Sequence, residues 1–160
     1  MRLALYEPDI PQNTGAVMRL CSCFAVPLDI IEPCGFLLSD SRMKRAGMDY
    51  VQNLEMTRHR NWQAFQENSR KHGRRIVLLT TKADCFYTDF AFAPDDILLG
   101  GRESSGVPDD VHAAAAARIA IPMAGHARSL NLSQSCAIVL CEALRQTGLF
   151  PRHPVIADTV

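Results

Sequence analysis

The run Ile76-Val77-Leu78-Leu79 indicates the fold class, because four consecutive apolar residues are typical of a strand buried on both faces of a sheet. Other strand-like runs lie on both sides of it, separated by stretches in which apolar residues recur at helical spacing. This alternation predicts an α/β domain with a mainly parallel sheet flanked by helices. The predicted strands are 3–6, 28–31, 51–56, 76–79, 97–99 and 118–121; the predicted helices are 17–24 (after a turn at 13–15), 39–46, 61–73, 111–116 and 132–146.

Length and composition set the class of protein. The 160 residues correspond to one domain, and 48% hydrophobic with 21% charged residues excludes a largely disordered chain. Apolar stretches are of strand length, and Glu7 and Pro8 interrupt the N-terminus before a signal-peptide core could form. We therefore expect a single domain over residues 1–150, a tail over 151–160, a cytoplasmic location and no membrane partner.

The six cysteines and five histidines do not form the spacing of a metal site. The pair Cys21-x-Cys23 has no second pair to complete a zinc site, and the histidines are accompanied by no carboxylate cluster. A disulfide framework is expected in small secreted chains, whereas this chain carries no secretion signal. We expect free thiols that act as small hydrophobes, and no metal.

Charge is balanced overall, with 17 Lys and Arg against 17 Asp and Glu, but it is unevenly distributed. Residues 42–75 carry nine Lys and Arg against three Asp and Glu. The guanidinium group of arginine suits phosphate better than the point charge of lysine does. This stretch is either a face that meets a polyanion or a solvated helix surface with a loop, and charge alone does not decide between them.

Three polar segments follow predicted strands, at the edge where open α/β sheets bind ligands. They are residues 7–15 with Arg19 beyond, residues 99–108 and residues 121–133. Taken singly, their glycines, prolines and asparagines are also those of ordinary turns and helix caps. The known phosphate-binding glycine motifs do not match, because the lysine that reaches phosphate is missing, and no hydrolase nucleophile elbow is present.

Taken in order, the three segments resemble the motifs of the SPOUT methyltransferases, which methylate ribose 2′-hydroxyls of RNA. The matching residues are Asn13-x-Gly15-x-x-x-Arg19, Gly101-x-Glu103-Ser104-x-Gly106-Val107-Pro108, and Ile121-Pro122-Met123 with Arg128-Ser129-Leu130-Asn131-Leu132-Ser133. The stretches 5–8, 31–33, 45–50 and 57–59 are similar to the minimal branch, the tRNA (cytidine/uridine-2′-O)-methyltransferases that act on the wobble nucleotide, residue 34. The resemblance covers residues 3–148.

The resemblance implies a parallel sheet whose C-terminal part is threaded into a deep trefoil knot, with S-adenosylmethionine bound in the knot and S-adenosylhomocysteine as the product. It also implies a homodimer and a tRNA partner, contacted at its anticodon stem-loop. The residues that match cofactor-binding positions are Leu79, Gly101, Ile121, Ser129 and Leu130.

Four residues match polar positions that serve the reaction in the family: Asn13, Arg19, Glu103 and Asn131. An arginine remains protonated at physiological pH, so we expect Arg19 to stabilise the developing alkoxide rather than act as a base. Candidate RNA-binding residues are Arg42, Lys44, Arg45, Arg58 and Arg128. This chain departs from the family at Arg102, where proline is commoner, and at Ser105, where many relatives carry arginine; Arg102 is a candidate to take over that arginine's role.

Three other readings remain open. The same machinery serves other tRNA or rRNA nucleotides in the family. A catalytically silent knotted protein that binds RNA or S-adenosylmethionine would carry the same fold. Without the resemblance, the strand and helix pattern also allows a flavodoxin-like ligand-binding domain.

Overall fold

A sheet of seven strands is the central feature of the computed structural model, which describes residues 1–38, 54–125 and 129–151. The strand order is β3-β2-β1-β6-β4-β7-β5, and every neighbouring pair is parallel. The carboxyl ends of these strands therefore share one edge, where the loops after β1, β6, β4 and β7 meet. The strands are β1 (Arg2–Tyr6), β2 (Leu28–Ile31), β3 (Met56–His59), β4 (Ile76–Leu79), β5 (Cys85–Phe86), β6 (Ile97–Gly100) and β7 (Ala117–Ala120).

Helices cover both faces of the sheet, and their ends carry recognisable signals. The described residues form α1 (Pro11–Cys23), α2 (Trp62–Lys71), α3 (Asp109–Ala114) and α4 (Leu132–Thr147). The side chain of Asn61 caps α2 by accepting a hydrogen bond from the N–H of Ala64 at 2.9 Å. Gly148 ends α4 with φ of 68°, a left-handed conformation that glycine adopts without steric cost.

Alternate residues of the central strands contribute to two separate cores. Leu3 and Leu5 pack with residues of α1 and α4, whereas Ala4 and Tyr6 pack with residues of α2 and α3. All five residues of β1 are buried because both faces of the sheet are covered, which explains the continuous apolar runs in the sequence. Cys21 and Cys136 are buried in the first core, consistent with the prediction that cysteines act as small hydrophobes.

A buried ion network ties the first three strands together. Arg2 Nε donates to Asp29 Oδ2 at 2.7 Å, and His59 Nε2 lies 2.8 Å from Asp29 Oδ1. Only about 1% of the surface of Asp29 is exposed. Because β1, β2 and β3 are neighbours in the sheet, this carboxylate holds one side chain from each adjacent strand.

Most predicted elements are confirmed, with four corrections. The third strand is Met56–His59 and not 51–56, because the ladder with β2 continues to His59 although its sequence is polar. The first helix begins at Pro11 rather than after a turn at 13–15, since proline fits the first turn of a helix. The short helix is 109–114 rather than 111–116, because Ala115 is already extended; strand β5 was not predicted. The helix predicted over 39–46 lies outside the described residues.

None of the helices in the described ranges has the length and apolarity needed to cross a membrane.

Replacing Asp29 with alanine leaves the buried charge of Arg2 and the ring of His59 without their shared partner. We expect a loss of about 3–5 kcal/mol in the free energy of unfolding, measured by urea denaturation. Asp84→Ala is the matched control, because it removes an exposed pair with Arg118 and should cost less than about 1 kcal/mol. Equal losses in the two variants would contradict the assigned role of Asp29.

Candidate active site

A cavity of about 1000 Å³ opens at the carboxyl edge of the sheet. The loops that follow β4, β6 and β7 and the first turns of α4 form its walls. Ligand pockets in α/β sheets are expected at this edge, where the loops after adjacent strands converge. All five residues predicted to bind the cofactor line this one cavity: Leu79, Gly101, Ile121, Ser129 and Leu130.

The walls combine an apolar floor with polar loop groups. Leu78 and Ile119 contribute from the sheet, and Val139 contributes from α4. Thr80 and Ser129 lie on the lining at loop positions. A flat apolar ring can lie against such a floor while its polar edge meets backbone and hydroxyl groups of the loops.

Two glycines at the end of β6 allow close packing around the cavity. A Cβ atom at Gly100 would lie 2.8 Å from Leu132 Cδ1, and one at Gly101 would lie 2.9 Å from the carbonyl carbon of Gly106. The second contact is with backbone and cannot be relieved by a rotamer change. Gly101 is therefore required for the loop to close on itself, through the paired backbone hydrogen bonds between Arg102 and Gly106.

Three predicted polar residues form one hydrogen-bonded chain across the cavity rim. Asn13 Nδ2 donates to Glu103 Oε1 at 3.0 Å, and Asn131 Nδ2 donates to Asn13 Oδ1 at 2.8 Å. These residues come from α1, from the loop after β6 and from the start of α4. The structure thus brings together three of the four residues predicted to serve the reaction.

Asn131 has a second function as the N-cap of α4. Its Oδ1 accepts from the N–H of Ser133 at 2.9 Å and from the Ser133 hydroxyl at 2.7 Å. One side chain therefore starts the last helix and links it to Asn13.

A pair of carboxyl groups lies at the outer end of this chain. The N–H of Asp9 donates to Glu103 Oε2 at 3.1 Å, and the Ser104 hydroxyl donates to the Asp9 carboxylate. Asp9 Oδ1 is buried and has no hydrogen-bond partner among the described residues. Burial, and secondarily the neighbouring Asp9 carboxyl, raise the pKa of Glu103, and these effects outweigh the donors that favour its charged form.

Arg19 does not join this group. It lies on the exposed side of α1 and is not among the described residues that line the cavity. Arg19 follows Asn13 by six residues, which places it about 240° around the helix and about 9 Å further along it. The two predicted reaction residues on α1 therefore face different directions.

The predicted RNA-binding residues are only partly described. Arg58 lies on β3, where its Nε donates to Glu32 Oε1 at 2.8 Å. Arg42, Lys44, Arg45 and Arg128 lie outside the described residues.

Three residues that sequence reasoning did not single out belong to the site: Asp9 beside Glu103, and Thr80 and Phe86 on the cavity wall. Thr80 directly follows the buried strand β4, and a polar residue at the carboxyl end of a buried strand could have identified it as a site residue. Asp9 lies between Pro8 and Pro11 in the segment after β1, and a carboxylate in such a segment could also have been identified from the sequence. Phe86 carried no signal, because β5 has only two residues.

Within 1–38, 54–125 and 129–151, no group of three or more His, Cys, Asp or Glu side chains is arranged to hold a metal ion.

The model of the SpoU rRNA methylase family matches residues 1–141. The chain belongs to this family. The resemblance stated from the sequence motifs is thereby confirmed, and the α/β sheet agrees with the fold of SpoU methyltransferases.

Curated relatives in the SpoU family match almost the whole chain. The tRNA (cytidine(34)-2′-O)-methyltransferase of Beijerinckia indica is 56% identical over 146 residues, which cover 91% of both proteins. The protein of the same name from Escherichia coli K12 is 40% identical over 150 residues, 92% of this chain and 94% of the relative.

Solved structures agree with the family assignment. A structure that describes the 2-OH methylation of C/U34 on tRNA superposes with a TM-score of 0.86 at 39% identity, covering 91% of this chain and 94% of the other. An AdoMet-bound rRNA methyltransferase from Sinorhizobium meliloti has a TM-score of 0.83 at 27% identity, covering 90% of this chain and 55% of the other.

The raised pKa of Glu103 predicts a pH-dependent contribution to stability. The Glu103 carboxyl binds its proton more tightly in the folded state than in the unfolded state. Its contribution to the free energy of unfolding is therefore full below the usual pKa of 4.5 and is lost as pH rises through the pKa of the folded state. Wild type should therefore lose stability relative to Glu103→Gln as pH rises from 4.5, in parallel thermal unfolding series.

Asp9→Asn supplies the companion measurement. It removes the carboxyl that contributes to the raised pKa of Glu103, so the pH-dependent difference should become smaller in this background. Stability curves of wild type and Glu103→Gln that stay parallel above pH 4.5 would contradict the raised pKa of Glu103.

Proposed function

We propose that this chain is an S-adenosylmethionine-dependent methyltransferase that methylates the ribose 2′-hydroxyl of cytidine or uridine 34, the wobble nucleotide of tRNA. One observation carries the proposal: the five expected cofactor residues and the Glu103–Asn13–Asn131 chain lie on a single cavity. The names of the curated relatives and of the C/U34 structure support the choice of tRNA and of nucleotide 34.

The cavity suits the cofactor in shape and chemistry. Its volume of about 1000 Å³ is at the upper end of ordinary ligand pockets, and its apolar floor suits an adenine ring. The loop at Gly101 closes tightly on the backbone of Gly106, which fixes the position of its backbone groups on the cavity lining. Leu79, Ile121 and Leu130 would enclose the adenosine, with Gly101 and Ser129 at its polar edge.

When bound, S-adenosylmethionine would supply a methyl group to the ribose 2′-oxygen: the carbon–sulfur bond would break with its electron pair staying on sulfur, and the hydroxyl proton would pass to water. The protein's contribution is alignment, since such a displacement needs the two reacting atoms in line. Asn13, Glu103 and Asn131 hold α1, the loop after β6 and the start of α4 in fixed relation. Asn131 and Glu103 would present polar groups to the ribose. No residue needs to form a covalent bond with the substrate.

We assign Arg19 to the active site of a second subunit in a homodimer. It faces away from the cavity of its own chain, so it can stabilise the developing alkoxide only where another copy brings a cavity to this face of α1. Exposed apolar side chains on α4, which packs against α1, and directly after it support such a contact: Ile138 is 37% exposed, and Leu149 and Phe150 are 43% and 40% exposed. The rings of Phe24 and Phe150 pack edge to face beside them.

The remaining expectations form part of the same proposal. Residues 1–150 make one domain in which the C-terminal part is threaded as a trefoil knot, supported by the insertion of β6 and β7 between strands that precede them in the chain. The tRNA backbone is bound by Arg42, Lys44, Arg45, Arg58 and Arg128. A tRNA substrate also supports a cytoplasmic location.

The direct test is transfer of labelled methyl from S-adenosylmethionine to tRNA lacking wobble methylation, followed by nuclease mapping. We expect label on the 2′-oxygen of nucleotide 34. Label on another ribose would retain the methyltransferase and reject the target. No transfer by a protein that still binds S-adenosylmethionine would favour the silent binding protein.

Subunit complementation tests the assignment of Arg19. Arg19→Ala and Gly101→Val should each be inactive as homodimers, the first without the arginine and the second because its Cβ meets backbone at 2.9 Å. Co-expressed with different affinity tags and purified as heterodimers, they should recover activity, since one site then combines an intact cavity with an intact Arg19.

Calorimetry supplies the control for the mixture. S-adenosylmethionine should bind to Arg19→Ala but not to Gly101→Val. A heterodimer as inactive as both parents would place Arg19 in the site of its own chain.

A further inference from the structure

A second, smaller cavity of about 190 Å³ lies beside the first. The two cavities share the loop after β6, including Arg102 and Ser105, so a substrate bound across them would contact both. Its volume suits one flat ring rather than a whole nucleotide. The remaining lining residues are Tyr6, Glu7, Gly106, Val107 and Pro108, so that with Arg102 the wall combines apolar surfaces with one acid and one base.

Arg102 is held in place at the wall of this smaller cavity. Its backbone is paired with Gly106 at 2.8 and 2.9 Å, its Nε donates to the carbonyl of Glu7 at 3.2 Å, and its Nη2 pairs with the Glu7 carboxylate. A guanidinium has five N–H donors, so these contacts leave donors on the exposed part of the group. About 32% of the Arg102 side chain is exposed.

Glu7 is presented by an unusual backbone conformation. Its φ of 41° lies in the left-handed region, which is uncommon for a residue other than glycine. Such conformations persist where the surrounding structure imposes them, and they concentrate at functional sites. The result is a carboxylate acceptor beside guanidinium donors at the opening of a ring-sized cavity.

We propose that Glu7 and Arg102 bind the Watson–Crick edge of the nucleotide whose ribose is methylated. This inference rests on the proposed function, because it concerns the base attached to that ribose. An unpaired base offers its edge for hydrogen bonds while it lies on apolar or aromatic surfaces, here Val107 and Pro108. Adjacent acceptor and donor groups match the adjacent donor and acceptor positions of a pyrimidine.

The same pair accepts both pyrimidines. In cytosine the 4-amino group donates to Glu7 and N3 accepts from Arg102. In uracil the match moves by one position, so N3–H donates to Glu7 and O2 accepts from Arg102. Purines carry their Watson–Crick groups on the six-membered ring of a larger, two-ring base, so we expect them to fit this cavity less well.

The test compares anticodon stem-loops that carry cytidine, uridine or 2-pyrimidinone ribonucleoside at position 34. The last is cytidine without its 4-amino group. For wild type we expect kcat/KM to be about tenfold higher for cytidine than for the analogue, the discrimination usual for one good base contact. In Glu7→Ala this ratio should fall to about two or less, since the amino group has lost its acceptor.

Arg102→Ala should lower kcat/KM about tenfold for cytidine and for uridine, because both bases use its donors. Arg75→Ala is the matched control. It removes a guanidinium that pairs with Asp96 at 2.7 Å at the opposite edge of the sheet, and it should leave the cytidine-to-analogue ratio unchanged. A role of Glu7 and Arg102 in loop stability alone would lower activity without changing that ratio.

The same ratios are measured in equilibrium binding of fluorescently labelled stem-loops, so that the result does not depend on turnover. If wild type binds the cytidine stem-loop more tightly than the analogue but transfers no methyl group to nucleotide 34, the proposed function is refuted and base recognition is supported. Equal binding of cytidine and the analogue by wild type, or an unchanged ratio in Glu7→Ala, would overturn base recognition whether or not methyl is transferred.

Discussion

The amide group of Asn13 is the contact on which the geometry of the site depends. Its nitrogen donates to Glu103 and its oxygen accepts from Asn131, so rotating the amide would break both bonds at once. The amide thereby sets the positions of the loop after β6 and of the start of α4. This arrangement is possible only because β6 pairs with β1, which brings two segments separated by 90 residues to one edge of the sheet.

Local chemistry explains what could be predicted from the sequence. Runs such as Ile76–Leu79 are apolar throughout because both faces of the sheet are covered, and Asn61 and Asn131 cap helices through contacts a few residues away. The cofactor candidates followed from the motifs of a known family, and the rule that parallel strands end at one edge explains why they share a cavity. Leu79 and Gly101 are such strand-end residues.

The remaining features depend on contacts between distant segments. Strand β3 is polar at Thr57 and Arg58, so only its pairing with β2 identifies it as a strand. The spacing of Asn13 and Arg19 placed them in one motif, although the turn of the helix points them apart. No sequence pattern indicated that Arg102 pairs with Glu7, 95 residues earlier in the chain.

Arg102 also shows how a loop can be rigid without proline. Proline restricts its own φ, whereas arginine leaves the backbone free and adds a charge that needs a partner. Here the backbone is held by its pairing with Gly106, and the guanidinium is held by the carbonyl and carboxylate of Glu7. Because Arg102 and Glu7 are both partly exposed, neither charge bears the full cost of burial. The Arg102–Glu7 pair therefore fixes the conformation of the loop and still has hydrogen-bonding groups available to a ligand at the opening of the smaller cavity.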